Sequence, residues 1–159
     1  MAKMLITYYS RTKHTEHMAQ SIAAGAHEIA GIEVSVLTLD QVDVRNLLKY
    51  DAIIIGSPCY YGLMAAEVKK FIDNSVSLHG KLDGKVGGAF ASGANVGGGN
   101  ETTVLSILHA MLIHGMVIQG SAGGDHYGPV AIGDVDVRAH EECAKLGRVT
   151  AELAVKLHG

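Results

Sequence analysis

Ala52-Ile-Ile-Ile-Gly56 is a short run, rich in β-branched isoleucine and apolar on both faces. Residues of that type with no polar alternation mark a central strand of a parallel sheet, covered on both faces. After it, Ser57-Pro-Cys-Tyr-Tyr-Gly62 reads as a loop and Ala65 to Ile72 as a helix. Before it, Glu33 to Leu39 reads as a strand and Val44 to Lys49 as a short helical turn. Further back, Lys3 to Tyr9 has the apolar, aromatic character of a first strand. Polar Ser10 to Thr15 follows, and Met18, Ile22, Ala26 and Ile29 then recur at helical spacing up to Gly31.

Downstream, Lys85 to Ser92 reads as a fourth strand, Gly93 to Gly99 as a glycine-rich loop and Thr102 to Ile113 as a helix. Met116 to Ile118 begins a fifth strand. Val137 to Leu157 is a last helix whose Ala144, Gly147, Ala151 and Ala154 permit close packing on a sheet. Strand and helix alternate throughout, which predicts an α/β fold: a doubly wound parallel sheet with helices on both faces. Five strands fit the order 2-1-3-4-5, whose ligand site lies beyond the carboxyl ends of strands one and three.

The 159 residues suit one domain spanning 1–159, with no internal repeat or linker. Net charge is -3, so no basic surface is offered to nucleic acid or an anionic membrane. Two cysteines, Cys59 and Cys143, are too few for a disulfide framework or a structural zinc site. With no apolar leader or spanning segment in view, the chain reads as cytoplasmic. His14 and His17 stand at i, i+3, but no cysteine or carboxylate joins them at ligand spacing, so no metal site is assigned.

The loops expected at the carboxyl edge are the informative ones. In the first, the hydroxyls of Ser10, Thr12 and Thr15 precede a helix, where N–H groups and the macrodipole favour an anion. Alone, that spacing fits a capped helix start as well as a phosphate cradle. Neither G-x-x-x-x-G-K-[ST] nor G-x-G-x-x-G is present, which disfavours a nucleoside triphosphate and a dinucleotide at this loop. Tyr60 and Tyr61 offer rings on which a flat aromatic ligand would stack, or simply cover their loop. The loop from Ser92 to Gly99 suits backbone passing close to a ligand, or a mobile surface segment. Gly123-Gly-Asp-His-Tyr-Gly128 reads as the loop after strand five, with Tyr127 as a stacking or an edge-packing residue.

Taken together, these motifs resemble the flavodoxin-like NAD(P)H:quinone oxidoreductases of the tryptophan-repressor-binding-protein type. The likeness runs through Tyr8-Tyr-Ser-Arg-Thr-Lys-His-Thr15, Tyr50 to Pro58 with Gly62 and Met64, Phe90 to Glu101, His114-Gly-Met-Val-Ile118 and Gly123 to Gly128. It implies FMN as cofactor. Ser10, Arg11, Thr12, Lys13, His14 and Thr15 would hold its phosphate, and Pro58, Cys59, Tyr60, Tyr61 and Gly62 would line its ring. Ser92, Gly93, Ala94, Asn95, Val96, Gly97 and Gly98 would meet the pyrimidine edge, with Tyr127 alongside. His114 would sit at the substrate face as the catalytic candidate, or cap its helix through the dipole.

The resemblance also implies electron flow from NAD(P)H to a quinone, and a homo-oligomer. The chain departs from the family in four respects. Lys13 stands where glycine is usual, and would be strained at positive φ. The glycine loop is one residue longer. Insertions before Tyr50 and before Gly123 are missing, and so is any tryptophan. The compact length leaves a second reading open, an electron carrier between redox protein partners. A non-enzymatic binding module is the third.

Overall fold

The computed structural model describes residues 1–159. Strands β1 (Ala2–Tyr8), β2 (Ile32–Thr38), β3 (Ala52–Tyr60) and β5 (Val86–Gly93) form the parallel body of the sheet. Helices α1 (His14–Ala26), α2 (Ala66–Asn74), α3 (Asn100–Ile113) and α4 (Val137–His158) cover it. Three short strands complete the set: β4 (Leu63–Met64), β6 (Val117–Ile118) and β7 (Val130–Ile132). The main order is β2-β1-β3-β5-β6, with β4 paired to β3 and β7 to β5. The predicted doubly wound sheet is therefore present.

The alternation of side chains along β1 explains the two cores. Met4 and Ile6 point to one face, where they join Met18 and Ile22 of α1 and Cys143 and Ala151 of α4. Leu5 points to the other and joins Val68 and Phe71 of α2 and Ile107 and Met111 of α3. Helices α1 and α4 touch backbone to backbone. A Cβ at Gly25 would strike the Ala144 carbonyl, and one at Gly147 would strike the Ile22 carbonyl. The small residues expected in the last helix thus bring it against α1.

Two expectations need correction. The stretch from Ser57 to Gly62 is not a plain loop: β3 continues to Tyr60 and turns back through β4, with Tyr60 opposite Leu63. The fifth strand is broken into halves. β6 pairs with Val86 and Gly87, β7 pairs with Ala91 to Gly93, and residues 119–129 bulge out between them. Gly123 to Gly128 consequently interrupts strand five instead of following it. The loop that does follow is Gly133 to Asp136, tied to β5 by the Gly133 amide donating to Gly93 O at 2.8 Å. No helix is long and apolar enough to cross a membrane.

Candidate functional site

Parallel strands all end at one edge, so the segments that leave β1, β3, β5 and β7 meet there. They enclose a cleft of about 630 Å³. Arg11, Thr12, His14 and Thr15 line it from the first segment, Pro58, Cys59 and Tyr60 from the second, and Ser92, Gly93 and Ala94 from the third. Gly133, from the loop after β7, closes the remaining wall.

The phosphate-type end is built around the start of α1. The residue at the N-cap position, Lys13, gives this helix no side-chain cap. The N–H groups of a helix's first turn lack partners within the helix and carry the positive end of its dipole. Ser10 Oγ accepts a long hydrogen bond, 3.4 Å, from the Glu16 amide. Thr15 is buried, and its Oγ1 lies 2.9 Å from the buried Ser92 Oγ. Lys13 occupies the left-handed region at φ 71°, the conformation in which a lysine is strained. The exposed Arg11 and Lys13 bring positive charge to this end of the cleft.

Across from it, His17 Nδ1 lies 2.8 Å from Asp134 Oδ1, which joins α1 to the loop carrying Gly133. That contact, together with the Val135 amide, holds the Asp134 carboxyl below its ordinary pKa. At the other end, the turn after β3 places Tyr61 at φ 53° and Gly62 at φ 75°. The Tyr61 ring is fully exposed and Tyr60 is 38% exposed. Cys59 Sγ donates to Gly98 O at 3.2 Å, which links the second and third segments. Asn100, buried at the start of α3, donates from Nδ2 to Asn95 O at 3.2 Å and so anchors the glycine loop.

Ser10, Lys13, Tyr61, Gly62, Asn95, Val96, Gly97 and Gly98 belong to the same three segments but flank the cleft instead of lining it. Two candidates lie elsewhere. Tyr127 sits in the segment that interrupts strand five and lines a separate recess of about 260 Å³ against Glu142, Lys145 and Leu146 of α4. His114 is also displaced, because α3 starts beside the cleft and runs back along the sheet. It ends near the strands' beginnings, where Gly115 O accepts from the Gly84 amide just ahead of β5. There His114 Nε2 is 2.8 Å from Ser75 Oγ, and burial, aided by His79, lowers its pKa from 6.5. Within the chain, His114 is thus not at the cleft.

Gly133 and Thr102 were not foreseen. Thr102 donates to Gly62 O at 2.7 Å, a contact with no local sequence signal. No three His, Cys, Asp or Glu residues gather at metal-binding distance.

The chain belongs to the flavodoxin family, which matches residues 6–147. It is 36% identical to a NAD(P)H dehydrogenase (quinone) of Rhodopseudomonas palustris (strain TIE-1), over 100% of both chains. It is also 36% identical to a flavodoxin of Aquifex aeolicus (strain VF5), over 96% of this chain and 86% of the relative. Among solved structures, the flavodoxin, WrbA-like protein from Agrobacterium tumefaciens superposes with TM-score 0.86 at 26% identity, over 99% of each chain. A flavodoxin from the domain Archaea gives TM-score 0.78 at 27% identity, over 96% of this chain and 98% of that one. The resemblance drawn from the motifs is borne out.

Proposed function

We propose that this chain is an FMN-dependent oxidoreductase that takes electrons from NAD(P)H and delivers them to a quinone-like acceptor. One observation carries the reading: a helix start whose N-cap residue offers no side-chain cap, hydroxyls and cationic side chains lie at one end of a cleft whose other end is bordered by Tyr60 and a glycine loop. That donor set fits a phosphate at one end and a flat ring at the other. The relatives named as quinone-reducing NAD(P)H dehydrogenases support the same activity.

Bound FMN supplies the hydride- and electron-accepting chemistry. The chain binds and orients it. Ser10, Thr12 and Thr15, with the first amides of α1, hold the phosphate, and Arg11, Lys13 and His14 add charge. Pro58, Cys59 and Tyr60 would line the ring, with Tyr61 and Gly62 at the turn beyond. Backbone from Ser92 to Gly98 would meet the ring's polar edge. With His114 at the far end of α3, no side chain of this chain is assigned as acid or base. The activity is carried out by one unit spanning 1–159, in the cytoplasm.

A specific observation favours a second reading, an electron carrier serving protein partners. The alignment to the Rhodopseudomonas palustris enzyme runs over 200 positions, whereas this chain has 159 residues, so that relative carries segments absent here. The Aquifex aeolicus flavodoxin aligns over only 160. One sample decides between the readings. Purified protein should show an oxidised-flavin absorption spectrum and consume NADH or NADPH when benzoquinone is added. A yellow protein inert to both nucleotides but reduced by a reductase partner is a carrier. A colourless protein that takes up no FMN sinks both.

A further inference from the structure

We propose that Thr102 is a positioning residue for the flavin ring, locking the hairpin turn at Tyr61-Gly62 onto the start of α3. The inference rests on the FMN reading above and deepens it.

The turn needs an external hold. Tyr61 and Gly62 are both left-handed, as a two-residue turn between paired Tyr60 and Leu63 requires. Tyrosine is disfavoured there, and its fully exposed ring makes no packing contact that would compensate. Thr102 Oγ1 supplies the hold by donating to Gly62 O at 2.7 Å, across 40 positions of sequence. Its single hydrogen is shared with Gly99 O at 2.9 Å, the local bond that a helix start alone would give.

Gly99 makes the approach feasible. It has φ 97°, and a Cβ there would stand 2.5 Å from Gly62 Cα. Two glycine backbones therefore meet where the segments flanking the ring end of the cleft come together. Cys59 Sγ to Gly98 O is a second tie between the same segments. Thr102 thereby fixes where the 58–62 turn stands relative to the glycine loop, and with it the slot that receives the ring. Thr102 itself does not line the cleft, so it acts through Gly62.

The test titrates apo-protein with FMN and with riboflavin, for wild type, Thr102→Val and Thr102→Ser, and measures the midpoint potential of the bound FMN. Thr102 is exposed, and a melting curve of each apo-protein checks that it folds. T102V is expected to weaken both ligands by the same factor, about tenfold, because the phosphate end is untouched. Its midpoint potential should shift, and T102S should restore affinity and potential. A loss confined to FMN, or an unchanged potential in T102V, would overturn the assignment while leaving the cofactor reading intact. Wild-type protein that binds neither flavin would remove both.

Discussion

Thr15 Oγ1 and Ser92 Oγ lie 2.9 Å apart in the interior, joining the start of α1 to the end of β5 across 77 positions. The pair holds two hydroxyl hydrogens and uses one between them. The second is free for a further acceptor, and both residues line the cleft. Thr15→Val should cost about 1–2 kcal/mol of stability, by leaving the Ser92 hydroxyl without its partner. The double change Thr12→Val/Thr15→Val should release FMN while riboflavin affinity and the far-ultraviolet circular dichroism spectrum stay as in wild type. Tight FMN binding by the double variant would refute the phosphate assignment.

Lys13 holds φ 71° and ψ -4° at the entry to α1. A lysine pays for that conformation, whereas glycine adopts it freely. Lys13→Gly should therefore stabilise the apo-protein by about 1 kcal/mol, raising its melting temperature by roughly 2–4 °C. A lower melting temperature would mean that the lysine side chain contributes more than its backbone costs.

The tyrosines at the turn are free to be removed. Tyr61 is fully exposed and Tyr60 is 38% exposed, so Tyr60→Ala/Tyr61→Ala should change stability by no more than about 0.5 kcal/mol each. Flavin fluorescence titrations should show FMN and riboflavin weakened alike. Unchanged affinities would take both rings out of the site.

His114 should contribute a pH dependence to folding that is independent of the cofactor. Ser75 Oγ spends its hydrogen on Ile72 O at 2.6 Å, so His114 Nε2–H must donate to Ser75. Nδ1 is then a buried lone pair with no partner. Protonating it places a charge in a desolvated position near His79, which is why its pKa falls below 6.5. The unfolded chain binds this proton more readily. Stability from the neutral ring is thus fully present above pH 6.5 and declines as pH falls below that value. Urea titrations at pH 8 and pH 5 should show a smaller difference for His114→Asn than for wild type; equal differences would dismiss the effect.

The two thiols should differ in reactivity. Cys143 is fully buried between α4 and the sheet, and desolvation pushes its pKa up to about 12. Cys59 is half-buried in the cleft wall. Iodoacetamide on native protein should label Cys59 alone, as read by peptide mass spectrometry, with FMN slowing the reaction. Labelling of Cys143 without denaturant would show that the core opens there.

The elements were legible because their signals are local. Apolar runs such as Ala52 to Gly56 and the 3.6-residue spacing of Met18, Ile22 and Ala26 report burial within a few residues. The polar loops after β1, β3 and β5 were legible for the same reason, and the parallel order brought them to one edge. What the sequence left open depended on contacts between distant positions. Whether strand five is continuous depends on which residues pair with β5, and the ladder stops between Gly87 and Ala91. The end of the sheet that His114 occupies follows from the direction in which α3 returns, which no motif around it records. Gly133 and Thr102 gained their places only when folding brought them to Gly93 and Gly62, each 40 positions away. Periodicity determined which residues would be buried; the closing of long loops decided which of them would meet.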